Sequence, residues 1–321
     1  MLLPTTRTLL KMKKPMSLSK LFNRSLLLRT ITGVILVAAI IGCILAGPYT
    51  YSGLFSFLIF GVLWEFYDLI NKSKEVRILR GLHSLAGVLL FWCFFISASH
   101  VSNLGNNIFV LYLVYCMALF ISRLYSKQAY PLRELAYILL GQVYIALPLS
   151  LLNSIAFHSI AIPLGNINDD YNGILLLALF FFLWCNDTGA FLTGCTLGRH
   201  RLFERVSPKK SWEGFFGGLV FNILLALAFY QASFWGLLGQ DLHELVHYTR
   251  LDWIGLGIFI SVFGTFGDLV ESFVKRFVGV KDSGRILPGH GGMWDRFDSL
   301  LLAAPAMMFY LVLIALIKNL I

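Results

Sequence analysis

Nine apolar stretches alternate with polar connections along this chain, and most are long enough to form membrane-crossing helices. A helix needs about 20 apolar residues to cross the hydrocarbon layer of a bilayer, within a range of roughly 17 to 25. The stretches cover residues 31–45, 54–70, 82–98, 108–121, 135–156, 174–192, 215–238, 253–270 and 300–317. The pattern therefore predicts an all-α, polytopic integral membrane protein with about nine transmembrane helices.

Lysine and arginine are unevenly distributed among the connections. Of the 26 such residues, 24 lie before the first stretch or in connections that follow even-numbered stretches, and only Arg250 and Lys318 lie elsewhere. Because positively charged connections stay on the cytoplasmic side of a membrane, we expect a cytoplasmic N-terminus and an external C-terminus. We therefore attribute the net charge of +9 to the orientation of the chain in the membrane, and we expect no nucleic acid partner.

Composition supports a membrane protein and gives no sign of separate domains. Hydrophobic residues make up 58% of the 321 residues and charged residues 13%, which excludes an ordinary soluble domain and a disordered chain. The five cysteines show no CxxC spacing, so neither a disulfide framework nor a zinc site is indicated. We predict a basic cytoplasmic N-terminal segment over residues 1–30 and a single transmembrane catalytic domain over residues 31–321.

Acidic residues gather near the predicted cytoplasmic ends of four spans. Carboxylates within a membrane are costly, so each indicates either an ion pair or a function. A single acidic residue near a helix end would be explained by an ion pair with a nearby lysine or arginine. Acidic residues at the same depth in four spans favour a shared site instead. Hard carboxylate oxygens suit Mg²⁺, which binds through one or two carboxylates and substrate phosphates. The residues concerned are Glu65, Asp68, Asp187, Asp268, Glu271, Asp295 and Asp298.

Basic residues accompany these acids at helical spacing. If residues 268–276 are helical, Asp268, Ser272, Lys275 and Arg276 share one face of that helix. Asp295 and Asp298 are spaced to face one site at the start of the last helix. This arrangement predicts a polar face along this helix, which extends from the membrane into the cytoplasm next to the acidic residues.

Two further segments have the chemistry of phosphate-binding loops. The segment 287–292 contains Pro288 and three glycines, which disfavour a helix and let backbone N–H groups approach an anion. We expect His290 to bind a phosphate rather than a metal, because the surrounding oxygen ligands favour a hard ion. Lys209 and Lys210 follow a predicted Ser-Pro turn and precede a helix predicted to start near Trp212. The two lysines would equally suit contact with anionic lipid headgroups.

Three segments together resemble the phosphatidate cytidylyltransferase family, also called CDP-diacylglycerol synthases. They read SFVKRFVGVKDSGRILPGHGGMWDRFD at 272–298, NDTGA at 186–190 and SPKKSWEG at 207–214. Two positions depart from the family pattern: Cys195 stands where a basic residue is common, and Ser211 where threonine is frequent. The resemblance implies conversion of CTP and phosphatidate to CDP-diacylglycerol and pyrophosphate in phospholipid biosynthesis.

The resemblance also implies a metal-dependent site. It identifies Asp268 and Asp295 as the principal ligands of Mg²⁺, with Asp298 in support, and leaves room for a second cation such as K⁺. Asp187 and Glu213 are expected either to order the neighbouring cations or to complete the metal shell. The catalytic residues it implies are Asp268, Lys275, Arg276, Lys281, Asp282, Asp295, Arg296 and Asp298. The substrate-binding residues it implies are Asp187, Lys209, Lys210, Glu213, Ser272, His290, Gly291 and Gly292.

Expected partners are CTP, phosphatidate and membrane lipids, and the resemblance allows a homodimer. A compact chain without a long acidic tail favours the bacterial inner membrane, with the active site facing the cytoplasm. A CTP-dependent membrane lipid kinase is the nearest alternative, because it would transfer the γ-phosphoryl group with similar residues. An anion transporter would instead place polar residues along a midplane path between inverted repeats, whereas here the charges gather at one face.

Overall fold

The computed structural model describes residues 24–72, 76–99, 105–157, 171, 173–234, 248–284 and 291–320. Most of the predicted basic segment, which includes residues 1–23, lies outside this part of the chain, as does His290. Over the described residues the protein is an assembly of long apolar helices, which confirms the all-α membrane fold.

Each predicted membrane span corresponds to a helix. Eight helical segments among the described residues are long and apolar enough to cross a bilayer, and a shorter apolar helix at Thr30–Ala46 accounts for the first stretch. The helices are α1 (Arg24–Ala46), α2 (Pro48–Asn71), α3 (Arg80–Ser99), α4 (Phe109–Leu124), α5 (Pro131–Gly141), α6 (Leu147–Ala156), α7 (Ile174–Leu197), α8 (Trp212–Phe234), α9 (Arg250–Phe277) and α10 (Trp294–Leu320). A single π-helical turn at Gln142–Ala146 joins α5 to α6, so these two helices form one span.

A short β-hairpin separates α7 from α8. Its strands, β1 (Arg201–Phe203) and β2 (Ser207–Ser211), pair antiparallel. The predicted turn at Ser207-Pro208 is therefore wrong: these residues begin β2, and the turn lies at residues 204–206. The Ser211 hydroxyl accepts a hydrogen bond from the backbone N–H of Gly214 at 3.1 Å, which caps the start of α8.

Helices α7, α8, α9 and α10 pack in succession, and α10 also contacts α2 and α6. Helices α2, α3 and α6 complete the other side of the molecule. The start of α10 therefore lies at the junction of the two groups of helices. This junction brings the acidic ends of α2, α9 and α10 together.

Gln142, in the π-helical turn, links several helices through buried hydrogen bonds. Its side-chain amide nitrogen donates to the Tyr67 hydroxyl at 2.9 Å and to the His83 carbonyl at 2.8 Å. Its amide oxygen accepts from the Tyr112 hydroxyl at 3.2 Å. Buried polar groups need such partners, because an unpaired group in an apolar environment is costly. The span that contains α5 and α6 is thus tied to α2, α3 and α4.

Candidate active site

Three carboxylates form a close cluster where α9 meets α10. Candidate ligand oxygens of Asp268, Glu271 and Asp298 all lie within 4.8 Å of one another. We call these three residues the carboxylate cluster. Asp268 and Glu271 are one helical turn apart near the end of α9, and Asp298 lies in the first turns of α10.

Gly267 allows the two helices to approach closely at this point. A Cβ atom at residue 267 would lie 2.7 Å from the carbonyl oxygen of Asp298 and 2.9 Å from Cα of Ser299. Both neighbours are backbone atoms, so a larger residue would have to push the helices apart. The glycine next to Asp268 therefore brings Asp268 and Asp298 into one cluster.

Two lysines neutralise part of the negative charge. The ammonium group of Lys210, from β2, lies 2.7 Å from Oδ2 of Asp268. The ammonium group of Lys275 lies 2.6 Å from Oε2 of Glu271 and 2.7 Å from Oδ1 of Asp295. Lys275 and Glu271 are both buried, as expected for charges that hold each other in an apolar environment.

Asp295 lies beside the carboxylate cluster and is held by protein donors. Besides Lys275, its carboxylate accepts hydrogen bonds from the backbone N–H of Gly292 at 2.9 Å and from that of Ser283 at 3.3 Å. Asp295 is the second residue of α10, where helix geometry favours a negative side chain. Lys275 joins Asp295 to Glu271, so the four carboxylates form one charged network.

The donor set of the carboxylate cluster fits a divalent metal ion. Glu271 is 1% exposed, and its Oε1 atom has no hydrogen-bond partner among the described residues. A buried carboxylate oxygen without a donor is costly unless a cation binds it. Three carboxylates offer hard oxygen ligands of the kind that divalent ions such as Mg²⁺ and Ca²⁺ prefer.

Two clefts are each lined by one residue of the carboxylate cluster. The first, here called the hairpin cleft, has a volume of about 320 Å³ and is lined in part by Asp187, Lys209, Lys210 and Asp268. The second, here called the α1 cleft, has a volume of about 60 Å³. Its lining includes the apolar Leu36, Val37 and Ile40 of α1 together with Asp187, Arg296 and Asp298. Asp187 lines both clefts, and of the cluster Asp268 lines the hairpin cleft and Asp298 the α1 cleft.

Ser272 lies close to the carboxylate cluster, whereas Glu213 contacts the residue just before β1. The Ser272 hydroxyl donates to Oδ1 of Asp268 at 3.3 Å. Glu213 accepts a hydrogen bond from the backbone N–H of His200 at 3.1 Å, and its Oε1 atom lies 2.6 Å from that residue's Nδ1. Glu213 therefore anchors the chain that leads into β1.

The expectation that Lys275 and Arg276 share a face with Asp268 is wrong for Arg276. Its guanidinium is exposed and donates to the Val280 carbonyl at 3.1 Å, whereas Lys275 is buried. Successive residues on a helix point in different directions, so adjacent cations separate. Lys281 and Asp282 are exposed on the connection that follows α9, and His290 lies outside the described residues.

Two acidic residues of α2 behave differently from each other. Asp68 pairs with Lys72 at 3.3 Å and with Arg80, so an ion pair explains its position. Glu65 is buried and accepts hydrogen bonds from Ser283 and from the backbone N–H of Trp294. Sequence reasoning placed Glu65 and Glu271 near the site but gave neither a role. The spacing of Glu271 from Lys275, four residues along one helix, could have identified it.

Comparisons with known proteins agree on one group. Residues 27–314 match the cytidylyltransferase family. The phosphatidate cytidylyltransferase of Bacillus subtilis (strain 168) is 31% identical over 295 residues, which cover 89% of this chain and 97% of that protein. Those of Staphylococcus epidermidis (strain ATCC 12228) and Staphylococcus aureus (strain COL) are 44% and 43% identical over 137 and 139 residues. Each staphylococcal match covers 43% of this chain and 48% of the relative.

Proposed function

The protein belongs to the cytidylyltransferase family, and from this premise we propose that it converts CTP and phosphatidate to CDP-diacylglycerol and pyrophosphate. The observation that carries the proposal is the carboxylate cluster, which lines both the hairpin cleft and the α1 cleft. The two lysines of the hairpin cleft suit a triphosphate, and the α1 residues of the other cleft suit contact with a lipid. The two reacting phosphates would meet at the cluster.

The reaction needs no nucleophile from the protein. An oxygen of the phosphatidate phosphate forms a bond with the α-phosphorus of CTP, and the bond from that phosphorus to the oxygen bridging it to the β-phosphorus breaks. Pyrophosphate leaves with the electron pair of the broken bond. The obstacle is repulsion between two anions, so positioning and electrostatic stabilisation are the main requirements.

We assign Mg²⁺ as the metal, and Asp268, Glu271 and Asp298 would hold it. When bound, Mg²⁺ would offset the negative charge that accumulates as pyrophosphate leaves. The assignment of Asp295 as a principal ligand also stays a prediction; its carboxylate contacts Lys275 and two backbone N–H groups. A second cation such as K⁺ also stays a prediction.

Substrate positions follow from the character of the two clefts. The hairpin cleft has a volume in the range of small-molecule sites, about 300–1,000 Å³, and offers Lys209 and Lys210 to the phosphates of CTP. Arg296, beside the smaller α1 cleft, would contact the phosphatidate headgroup, while the acyl chains stay in the bilayer. The distribution of basic residues supports a site that faces the cytoplasm, and the relatives support the inner membrane of a bacterium.

Purified protein in detergent–lipid micelles, given phosphatidate and Mg²⁺, tests the proposal with CTP labelled at either the α- or the γ-phosphorus. We expect the α-label to enter a lipid product and the γ-label to leave as pyrophosphate. A CTP-dependent lipid kinase would place the γ-label in the lipid and release CDP. Flux of phosphatidate or CTP across proteoliposomes without product would support the transporter. Either result would contradict the proposal.

A further inference from the structure

Glu65 is a buried carboxylate of α2 that contacts the start of α10. It is 3% exposed, and its Oε2 atom accepts a hydrogen bond from the backbone N–H of Trp294 at 3.0 Å. The same oxygen accepts from the Ser283 hydroxyl at 3.1 Å. Asp68, one turn further along α2, forms ion pairs with Lys72 and Arg80, whereas no ion pair of Glu65 is found among the described residues. The contacts of Glu65 are therefore directed to the chain around α10.

The hydrogen bond from the Trp294 backbone N–H to Glu65 caps the start of α10 with a residue that is remote in the sequence. Trp294 is the first residue of α10, and the N–H groups of a first turn have no partner within their own helix. A carboxylate at this end also interacts favourably with the helix dipole. The usual cap is the residue just before a helix, but here the acceptor comes from α2. Glu65 thus ties the start of α10 to a different helix.

Ser283 connects Glu65 to the charged network. Its hydroxyl binds Glu65, and its backbone N–H lies 3.3 Å from Oδ2 of Asp295. Asp295 in turn shares Lys275 with Glu271 of the carboxylate cluster. A continuous series of contacts therefore runs from α2 to the cluster.

Two glycines leave the space that the Glu65 carboxylate occupies. A Cβ atom at Gly292 would lie 2.6 Å from Oε2 of Glu65 and 2.7 Å from the backbone nitrogen of Gly284. A Cβ atom at Gly284 would lie 2.6 Å from the carboxyl carbon of Glu65. A side chain at either position would displace the carboxylate. The backbone around α10 is thus closely packed on Glu65.

We propose that Glu65 is a positioning residue, which holds the start of α10 so that Asp295 and Asp298 stay in register with Asp268 and Glu271. This inference rests on the proposed function. Without the Glu65 carboxylate, the Trp294 N–H and the Ser283 hydroxyl lose their acceptor, and the first turn of α10 is free to shift. Residues that support metal ligands typically change activity or metal affinity by about 10- to 100-fold when replaced.

Three full-length variants test the inference: Glu65→Leu, Glu65→Gln and, as a matched control on the same end of α2, Asp68→Asn. We expect Glu65→Leu to lower kcat by about 10- to 100-fold and to raise the Mg²⁺ concentration for half-maximal activity. We also expect faster hydrogen exchange in the peptide 291–300. Glu65→Gln keeps an oxygen acceptor of the same reach and should recover most of the rate. Asp68→Asn should match the unmodified protein in kcat, Mg²⁺ requirement and exchange.

A Glu65→Leu variant with unchanged kcat, Mg²⁺ requirement and exchange would overturn the inference. So would a Glu65→Gln variant as impaired as Glu65→Leu, since the role would then depend on charge and not on hydrogen bonding. If Glu65→Leu does not fold, Ser283→Ala removes one of the two donors and should give a smaller change in the same three measurements. Hydrogen exchange needs no substrate, so it tests the link between α2 and α10 even if the unmodified protein makes no CDP-diacylglycerol. That last result would count against the proposed function instead.

Discussion

Lys275 is a buried cation that holds Glu271 and Asp295 at the same time. Charges are taken out of water only when each has a close partner, and removing one partner leaves the others uncompensated. Lys275 thus contributes to folding as well as to the electrostatics of the site. Its two carboxylate partners belong to different helices, so its loss affects the packing of α9 against α10.

Replacing Lys275 by Met should lower the free energy of unfolding by about 3–5 kcal/mol, because the buried Glu271 and the half-buried Asp295 lose their counter-ion. Thermal unfolding of the purified protein measures this change. The double variant Lys275→Met, Glu271→Gln should lose less than the sum of the two single changes, since Gln removes one uncompensated charge. Arg276→Met, at an exposed neighbouring position, is the control for stability and should unfold near the original temperature. Additive losses would contradict the shared network.

Asp268→Asn and Glu271→Gln should each reduce synthesis of CDP-diacylglycerol by about 100-fold or more, because each removes a charged oxygen from the proposed metal site. Initial rates at saturating CTP and Mg²⁺ measure the loss. Asp252→Asn is the matched control, since Asp252 lies at the other end of α9 and pairs with Lys318 at 2.8 Å. Near-normal rates for Glu271→Gln would remove Glu271 from the proposed metal site.

Spacing along one helix predicted correctly that some of these side chains are neighbours. Asp268 and Ser272 are adjacent as expected, because residues four apart on a helix are neighbours. The same reasoning was wrong for Arg276, which is exposed, whereas the neighbouring Lys275 is buried. The sequence placed Glu65 at the predicted cytoplasmic end of its span but gave it no role, since its partners on the chain around α10 are more than 200 residues away. Only packing between helices reveals such contacts.

The closest approach of α9 to α10 depends on Gly267. Atoms of the α10 backbone occupy the space where a side chain would begin. Rigid helices cannot adjust around a backbone contact as they can around a flexible side chain. The separation of the two helices at the carboxylate cluster is therefore set by the absence of a side chain at this residue.

We expect Gly267→Ala to lower stability by about 1–3 kcal/mol, the usual cost of an added group in a packed interior. Activity should fall as well, because the helices that carry Asp268 and Asp298 must separate. Thermal unfolding and initial rates together measure the effect. Gly53→Ala in α2 is the control, because a Cβ atom there meets nothing within 4 Å and alanine favours a helix. Equal behaviour of the two variants would argue against the close contact.

Hydrophobic patterning predicted the helices far better than the connections. Every apolar stretch became a helix, because a membrane span must satisfy its backbone hydrogen bonds internally. The β-hairpin went unpredicted, since β1 and β2 are only three and five residues long. Such short strands depend on pairing with each other, which periodicity does not show.

The whole molecule has one end rich in acidic and basic side chains, and the orientation of that end decides which compartment supplies the nucleotide. Cys195, near the end of α7, provides a natural reporter. It is exposed, whereas the other four cysteines are buried or half-buried. The distribution of lysine and arginine predicts that this end of α7 faces the cytoplasm.

A membrane-impermeant maleimide should therefore label Cys195 in inverted membrane vesicles but not in intact cells or right-side-out vesicles. Mass spectrometry of the labelled peptide measures the reaction, and Cys195→Ser should abolish the signal. Labelling from the outer face would reverse the predicted orientation. The site would then face the external compartment, where CTP is not expected.

The position of Asp187 between the two clefts has a consequence for how turnover is ordered. On the proposed assignment of the two clefts, a water-soluble substrate and an amphiphile would reach the carboxylates separately, so neither would have to depart before the other arrives. Both can occupy the enzyme in a ternary complex, without a covalently modified intermediate. Double-reciprocal plots at several fixed concentrations of the second substrate should accordingly intersect, and parallel lines would indicate a ping-pong mechanism.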